Sequence, residues 1–142
     1  MKTSARNQFS GKVSQIKTGA VNDEIEITLS GGDKLVAVIT RESTQNLGLQ
    51  VGSEAIALVK APWVIVATAD HGIKLSARNQ LSGNVTKLTL GAVNAEVVIQ
   101  LPGGNSVCAI ITLDSATDLD LAEGQPATAI FKASHVIVGV AA

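Results

Sequence analysis

The sequence contains no tyrosine, and its aromatic residues are Phe9, Trp63 and Phe131 alone. Proteins that hold single-stranded nucleic acid stack bases on aromatic side chains, so three isolated rings in 142 residues argue against that class. Charge of one sign is missing as well: 11 basic residues meet 12 acidic ones, a formal net charge of −1. Such a chain has no long-range field to draw in a polyanion or an anionic membrane. The one cysteine, Cys108, cannot form an intramolecular disulfide, and its neighbours Val107, Ala109 and Ile110 mark it as a small buried hydrophobe. The longest apolar stretches, near residues 63–67 and 136–142, fall far short of the roughly 18 residues that span a bilayer. The opening segment Met1–Gln8 lacks the apolar core of a secretory signal. These absences lead to the expectation of a cytoplasmic protein with neither nucleic acid nor membrane as partner.

What the sequence does have is aliphatic and repeated. Hydrophobic residues make up 46% of it and glycine occurs 13 times, so the core must be built from Val, Ile, Leu and Ala. Residues from Lys2 onward realign with those from Lys74 onward at a constant offset of about 72, and about 33 of roughly 69 aligned positions are identical. Ser4-Ala5-Arg6-Asn7-Gln8 recurs as Ser76-Ala77-Arg78-Asn79-Gln80, Gly19-Ala20-Val21-Asn22 as Gly91-Ala92-Val93-Asn94, and Lys60-Ala61 as Lys132-Ala133. Two domains are expected, 2–70 and 74–142, joined near Ala69-Asp70-His71-Gly72.

Each copy reads as a small β unit. Val13 and Ile16 punctuate a first polar strand, and Val21, Asp23, Ile25, Ile27 and Leu29 alternate with polar residues as a half-buried strand does. Ser30-Gly31-Gly32-Asp33 supplies a hairpin turn before a third strand at Lys34–Ile39. Thr40 caps a short helix that Leu47-Gly48 ends, and β runs at 54–60 and 63–68 follow, separated by Pro62. The fold class is all-β: two tandem OB-like five-stranded barrels, each with one short helix.

The polar residues kept in both copies are donors or hydroxyl rotors: Ser4, Arg6, Asn7, Gln8, Thr40, Ser43 and Lys60. Such a set suits a small dianion, with Arg6 and Lys60 neutralising charge while hydroxyls and backbone N–H groups meet the remaining oxygens. The Gly19–Asn22 segment reads either as a backbone nest for an anion or as a plain turn. The alternative for the rest of the set is structural, with Thr40 and Ser43 as caps and Arg6 as a brace against a neighbouring subunit. His71 and His135 are not duplicated and sit in no triad or metal-ligand spacing, so no enzymatic chemistry is expected.

The segments Ser-Ala-Arg-Asn-Gln-(Phe/Leu)-Ser-Gly, Gly-Ala-Val-Asn, Ile-Thr with Ser three residues on, and Lys-Ala-(Pro/Ser) together resemble the Mop domain of the molbindins, twice over. The resemblance implies a tandem (dimop) arrangement of OB-like barrels that stores molybdate, or tungstate, between domains as a homotrimer. It implies one class of interdomain site at Ser4, Arg6, Thr40, Ser43, Lys60, Ala61 and Pro62, with Ser76, Arg78, Thr112, Ser115, Lys132, Ala133 and Ser134 as counterparts. It implies a second class near a threefold axis at Gly19, Ala20, Val21 and Asn22 and at Gly91, Ala92, Val93 and Asn94. The copies differ where Pro62, without hydroxyl or N–H, stands opposite Ser134, which has both, so the interdomain sites need not be equivalent. The chain contains neither a helix-turn-helix segment nor a phosphate-binding loop, which leaves a ligand module without cofactor; a nucleic-acid or regulatory sensing module is the alternative.

Overall fold

Alternation along Asn22–Leu29 places Ile25, Ile27 and Leu29 in the interior, with Glu24, Glu26 and Thr28 between them on the outer face. This period of two is what lets one face of a sheet close over a core while the other meets water. The computed structural model describes residues 2–68 and 72–142. The expected join at Ala69–His71, and His71 with it, lies outside the described residues.

Among the described residues, ten strands and two short helices follow one another in two equivalent series. The first comprises β1 (Asn7–Thr18), β2 (Asn22–Leu29), β3 (Lys34–Thr40), α1 (Arg41–Asn46), β4 (Glu54–Val59), a single 3-10 turn at Ala61–Trp63 and β5 (Ile65–Ala67). The second comprises β6 (Asn79–Leu90), β7 (Asn94–Gln100), β8 (Ser106–Thr112), α2 (Leu113–Asp118), β9 (Pro126–Phe131), a 3-10 turn at Ala133–His135 and β10 (Ile137–Gly139). Both sheets have five strands and coil as OB-like barrels, in the orders β10-β4-β1-β2-β3 and β5-β9-β6-β7-β8.

Those orders show a reciprocal exchange. β5 leaves its own copy to pair with β9 through Ile65↔Ile130 and Val66↔Ala129, while β10 pairs with β4 through Ile137↔Leu58 and Val138↔Ala57. The sequence copies and the sheets therefore have different boundaries. In each copy β1 or β6 pairs with two strands, turning from one to the other at Gly11 or Gly83. A Cβ there would press into the Thr28 or Gln100 carbonyl oxygen, so only glycine lets the long strand coil so tightly.

Three seams join the halves. Asn7, buried, donates to the Cys108 carbonyl (2.8 Å) and accepts from the Cys108 N–H (2.7 Å), so its amide completes the outer edge of β8 as a peptide group would. Asn79 does the same to Val36 on β3, both at 2.8 Å. At the hairpin tips, Gly103 N–H donates to Asp33 Oδ1 (3.1 Å) and Asn105 Nδ2 to the Ser30 carbonyl (2.7 Å). Gly31, at φ +89°, lies so close to the Gly103 backbone that no side chain fits. Finally Trp63 and His135, equivalent positions on the two 3-10 turns, meet with ring centroids 4.8 Å apart. One continuous aliphatic core, from Val13, Ile25 and Leu35 through Val97, Ile99 and Val107, runs through both sheets.

Candidate functional site

Strand β3 ends at Thr40, whose extended backbone (φ −68°, ψ 147°) and β-branched side chain stop the strand and cap α1. Thr40 Oγ1 accepts the Ser43 N–H at 3.0 Å and donates to Ser43 Oγ at 2.7 Å. With its oxygen already accepting, Ser43 has its own hydroxyl proton to offer elsewhere. Thr112 and Ser115 repeat the arrangement at 3.1 and 2.8 Å. The capping reading of the threonines is thus correct, and it leaves one outward-facing donor in each copy.

Thr40 and Ser43 line an open cleft of about 560 Å³ together with Asn22 and Val38 of the first copy and Ser134 and Ile137 of the second. Asn46 of α1 also lines it, and a charged group of the second copy lies nearby. Arg78 reaches Glu24, which faces Val38 across the β2–β3 ladder, just as Asn22 faces Thr40. The turn Ala133–His135 packs on β3, and Ala61–Trp63 packs on β8. Ser134 is thus brought to the cleft of Thr40 and Ser43, and the turn Ala61–Trp63 correspondingly to β8, which ends at Thr112, because the chain crosses between sheets at each 3-10 turn. Lys60 and Lys132 are exposed at the starts of those turns, where neither side chain makes a capping hydrogen bond. Ser4 and Ser76 are exposed on the segments leading into β1 and β6.

Neither arginine is free among the described residues. Arg6 pairs with Glu96 at 2.7 Å and Arg78 with Glu24 at 2.5 Å. Each hydrogen bond holds its glutamate below the ordinary carboxylate range, against the opposing effect of burial, and raises the arginine further. The bracing role weighed for Arg6 is real, although the brace runs to the other copy of the same chain. Glu24 and Glu96 are the same acid in the two copies, and what brings Arg78 and Arg6 to them is the seam made by Asn79 and Asn7, one residue beyond each arginine.

The Gly19–Asn22 and Gly91–Asn94 segments are plain turns. Neither first glycine has a positive φ, and their N–H groups are taken, Gly19 by Asp23 Oδ1 (3.2 Å) and Gly91 by the Asn94 carbonyl (2.8 Å). Ala20 and Ala92 are exposed, and Val21 and Val93 are 72% and 73% exposed. Their carbonyls accept the Arg41 and Leu113 N–H groups at 2.8 Å, which ties each turn to the start of its helix. A backbone nest is therefore not formed at either turn. Cys108 is buried, which pushes its thiol pKa up, in keeping with an inert side chain. Among the described residues no group of three or more His, Cys, Asp or Glu side chains could hold a metal ion, and no helix is long and apolar enough to cross a membrane.

The TOBE domain model matches twice, at residues 3–66 and 75–138. A solved structure described as the cytoplasmic molybdate-binding protein ModG, with molybdate bound, superposes with a TM-score of 0.95 at 51% identity, covering 99% of this chain and 100% of that one. The molybdenum transport protein ModE of Herbaspirillum seropedicae is 47% identical over 99% of this chain, and the molybdenum-pterin-binding protein MopA of Rhodobacter capsulatus is 45% identical over 99%. The chain spans about half the length of these curated relatives, 52% and 53% respectively.

Proposed function

The chain belongs to the TOBE-domain family as a tandem pair of Mop-type copies, and from that premise we propose that it binds molybdate, and tungstate, between its halves. The observation that carries this reading is the cleft lined by Thr40 and Ser43 of one half and Ser134 of the other, with Arg78 held at Glu24, the ladder partner of the lining residue Val38. Molybdate at neutral pH is a fully deprotonated tetrahedral dianion, so it accepts hydrogen bonds and offers none. A pocket of hydroxyls, ammonium and guanidinium groups satisfies it. The ModG structure that matches across the full chain is described with molybdate bound, which supports the same ligand here.

The interdomain sites comprise Thr40, Ser43, Ser76, Arg78, Lys132, Ala133 and Ser134 on one side and Thr112, Ser115, Ser4, Arg6, Lys60, Ala61 and Pro62 on the other. The exposed turns Gly19–Asn22 and Gly91–Asn94 form a second class where copies of the chain meet around a threefold axis. The domain copies are 2–70 and 74–142, the assembly is a homotrimer, and the role is storage or buffering in the cytoplasm with no reaction catalysed. Equilibrium dialysis of the purified chain against molybdate, with sulfate as competitor, tests the reading. Saturable uptake is expected, with the degree of sulfate competition reading out how far the cleft discriminates by size, and uptake lowered in Arg78→Ala and Lys132→Ala variants is expected with it. A chain that takes up no molybdate defeats the proposal. The regulatory alternative draws on the ModE relatives, and molybdate-dependent DNA retention by the chain alone is the result that favours it.

A further inference from the structure

We propose that the two interdomain sites are unequal and that the residue two places beyond each lysine sets the difference. Ser134 makes the site at Thr40 and Ser43 the tight one, and Pro62 makes the site at Thr112 and Ser115 the weak one. This rests on the molybdate reading above and goes beyond it by ranking the sites.

The hydroxyl pairs, arginine braces and turn backbones of the two sites are closely matched, and the lining also differs where Asn46 of the first stands opposite Asp118 of the second, which acts in the same direction. The Thr–Ser hydroxyl pairs are 2.7 and 2.8 Å long, and both arginines are held by a glutamate of the other copy. Ala61 and Ala133 are both buried. The 3-10 turns start at Lys60 (φ −71°, ψ 134°) and Lys132 (φ −72°, ψ 139°) and end at Val64 (φ −88°, ψ 123°) and Val136 (φ −85°, ψ 126°). Pro62 thus sits in the same backbone as Ser134 without distorting it, and what changes is the set of donors. Ser134 faces the cleft with a hydroxyl that has no hydrogen-bond partner among the described residues, and it also carries an N–H. Pro62 removes both, toward a ligand that can only accept.

A further difference acts in the same direction. The Lys60 ammonium lies 5.5 Å from the centroid of the Trp63 ring, whose face attracts it. Lys132 has His135 in the equivalent place, and that ring is turned to Trp63 instead. To meet an anion, Lys60 gives up a contact that Lys132 does not have. Hydrogen bonds to charged groups are individually strong, so loss of one to two donors corresponds to a difference of about tenfold or more in affinity.

Titration calorimetry of the full chain with sodium molybdate tests the ranking in the wild type, Pro62→Ser and Ser134→Ala, with circular dichroism to verify the fold. Two affinities separated by about tenfold or more are expected for the interdomain sites of the wild type, identified as the classes that respond to the two substitutions. Pro62→Ser should draw the weak class up toward the tight one, and Ser134→Ala should weaken the tight class alone; if Pro62→Ser fails to fold, Ser134→Ala decides. Molybdate binding with the same isotherm in all three proteins overturns the ranking while leaving the molybdate reading intact. Absence of molybdate binding in the wild type overturns both.

Discussion

Asn7 grips the Cys108 backbone at 2.8 and 2.7 Å, and Asn79 grips Val36 at 2.8 Å twice. Farther along, the same two copies carry Pro62 opposite Ser134, Trp63 opposite His135 and Gly48 opposite Asp120. The two asparagines of the first seam are kept, whereas Trp63 and His135 at the 3-10 turns and the residues at the helix ends differ. The reason is mechanical. Each asparagine secures the edge strand of the other copy, so changing one opens a seam that its own copy cannot repair. A donor at the cleft serves one site only, and the two sites are free to diverge.

The largest test of this comparison lies in the seams. Replacing Asn7 with Leu strands the Cys108 N–H and carbonyl in a buried place, for an expected loss of about 2–4 kcal/mol in urea unfolding. Asn79→Leu strands the Val36 groups, which are only part-buried, and a smaller loss is expected because water can reach them. The same loss in both variants shows that burial does not distinguish the seams. A larger loss for Asn79→Leu reverses the comparison.

The exchange of β5 and β10 explains what sequence alone could and could not reveal. The alternation of β2, the Gly31-Gly32 turn, the Thr40 cap and the break at Pro62 are local signals, and each element formed where its signal lies. The partner of the last strand is not a local matter. Val64, Ile65 and Val66 are identical to Val136, Ile137 and Val138, so either strand presents the same side chains to either sheet. That one ambiguity propagated to the site: Thr40, Ser43 and Ser134 were legible individually, but their grouping across halves follows from the exchange. Gly19 was ambiguous for a related reason, because glycine serves positive φ and close approach alike. Here it serves close approach to the Asn22 carbonyl.

A smaller effect separates the helix ends. Gly48 (φ +63°) and Asp120 (φ +50°) occupy equivalent places just after α1 and α2, and Asp120 is the non-glycine residue with positive φ among those described. A left-handed backbone at a side-chain-bearing residue is worth about 1 kcal/mol of destabilisation. Asp120→Gly is therefore expected to stabilise the chain by about 1 kcal/mol in the same unfolding measurement, and Gly48→Asp to destabilise it by about as much. No change at Asp120 means that its side chain compensates locally for the strained backbone.

The smallest expected effect concerns the paired glutamates, and it bears on whether the two arginines are held alike. Glu24 and Glu96 have pKa values below their ordinary 4.5 because Arg78 and Arg6 hydrogen-bond to them. A carboxylate with a depressed folded pKa stabilises the fold fully above its unfolded pKa and loses that contribution as pH falls through the folded value. The window therefore opens near pH 4.5 and extends downward. Thermal unfolding followed across that window should decline less steeply in Glu24→Gln and in Glu96→Gln than in the wild type, because each substitution removes one titrating group. Both arginines are about half exposed, so solvent and salt screen the pairs and the change in slope is small. Equal changes in the two variants place the arginines on the conserved side of the comparison, beside Asn7 and Asn79. Unequal changes transfer part of the site asymmetry from Pro62 and Ser134 to the arginines themselves.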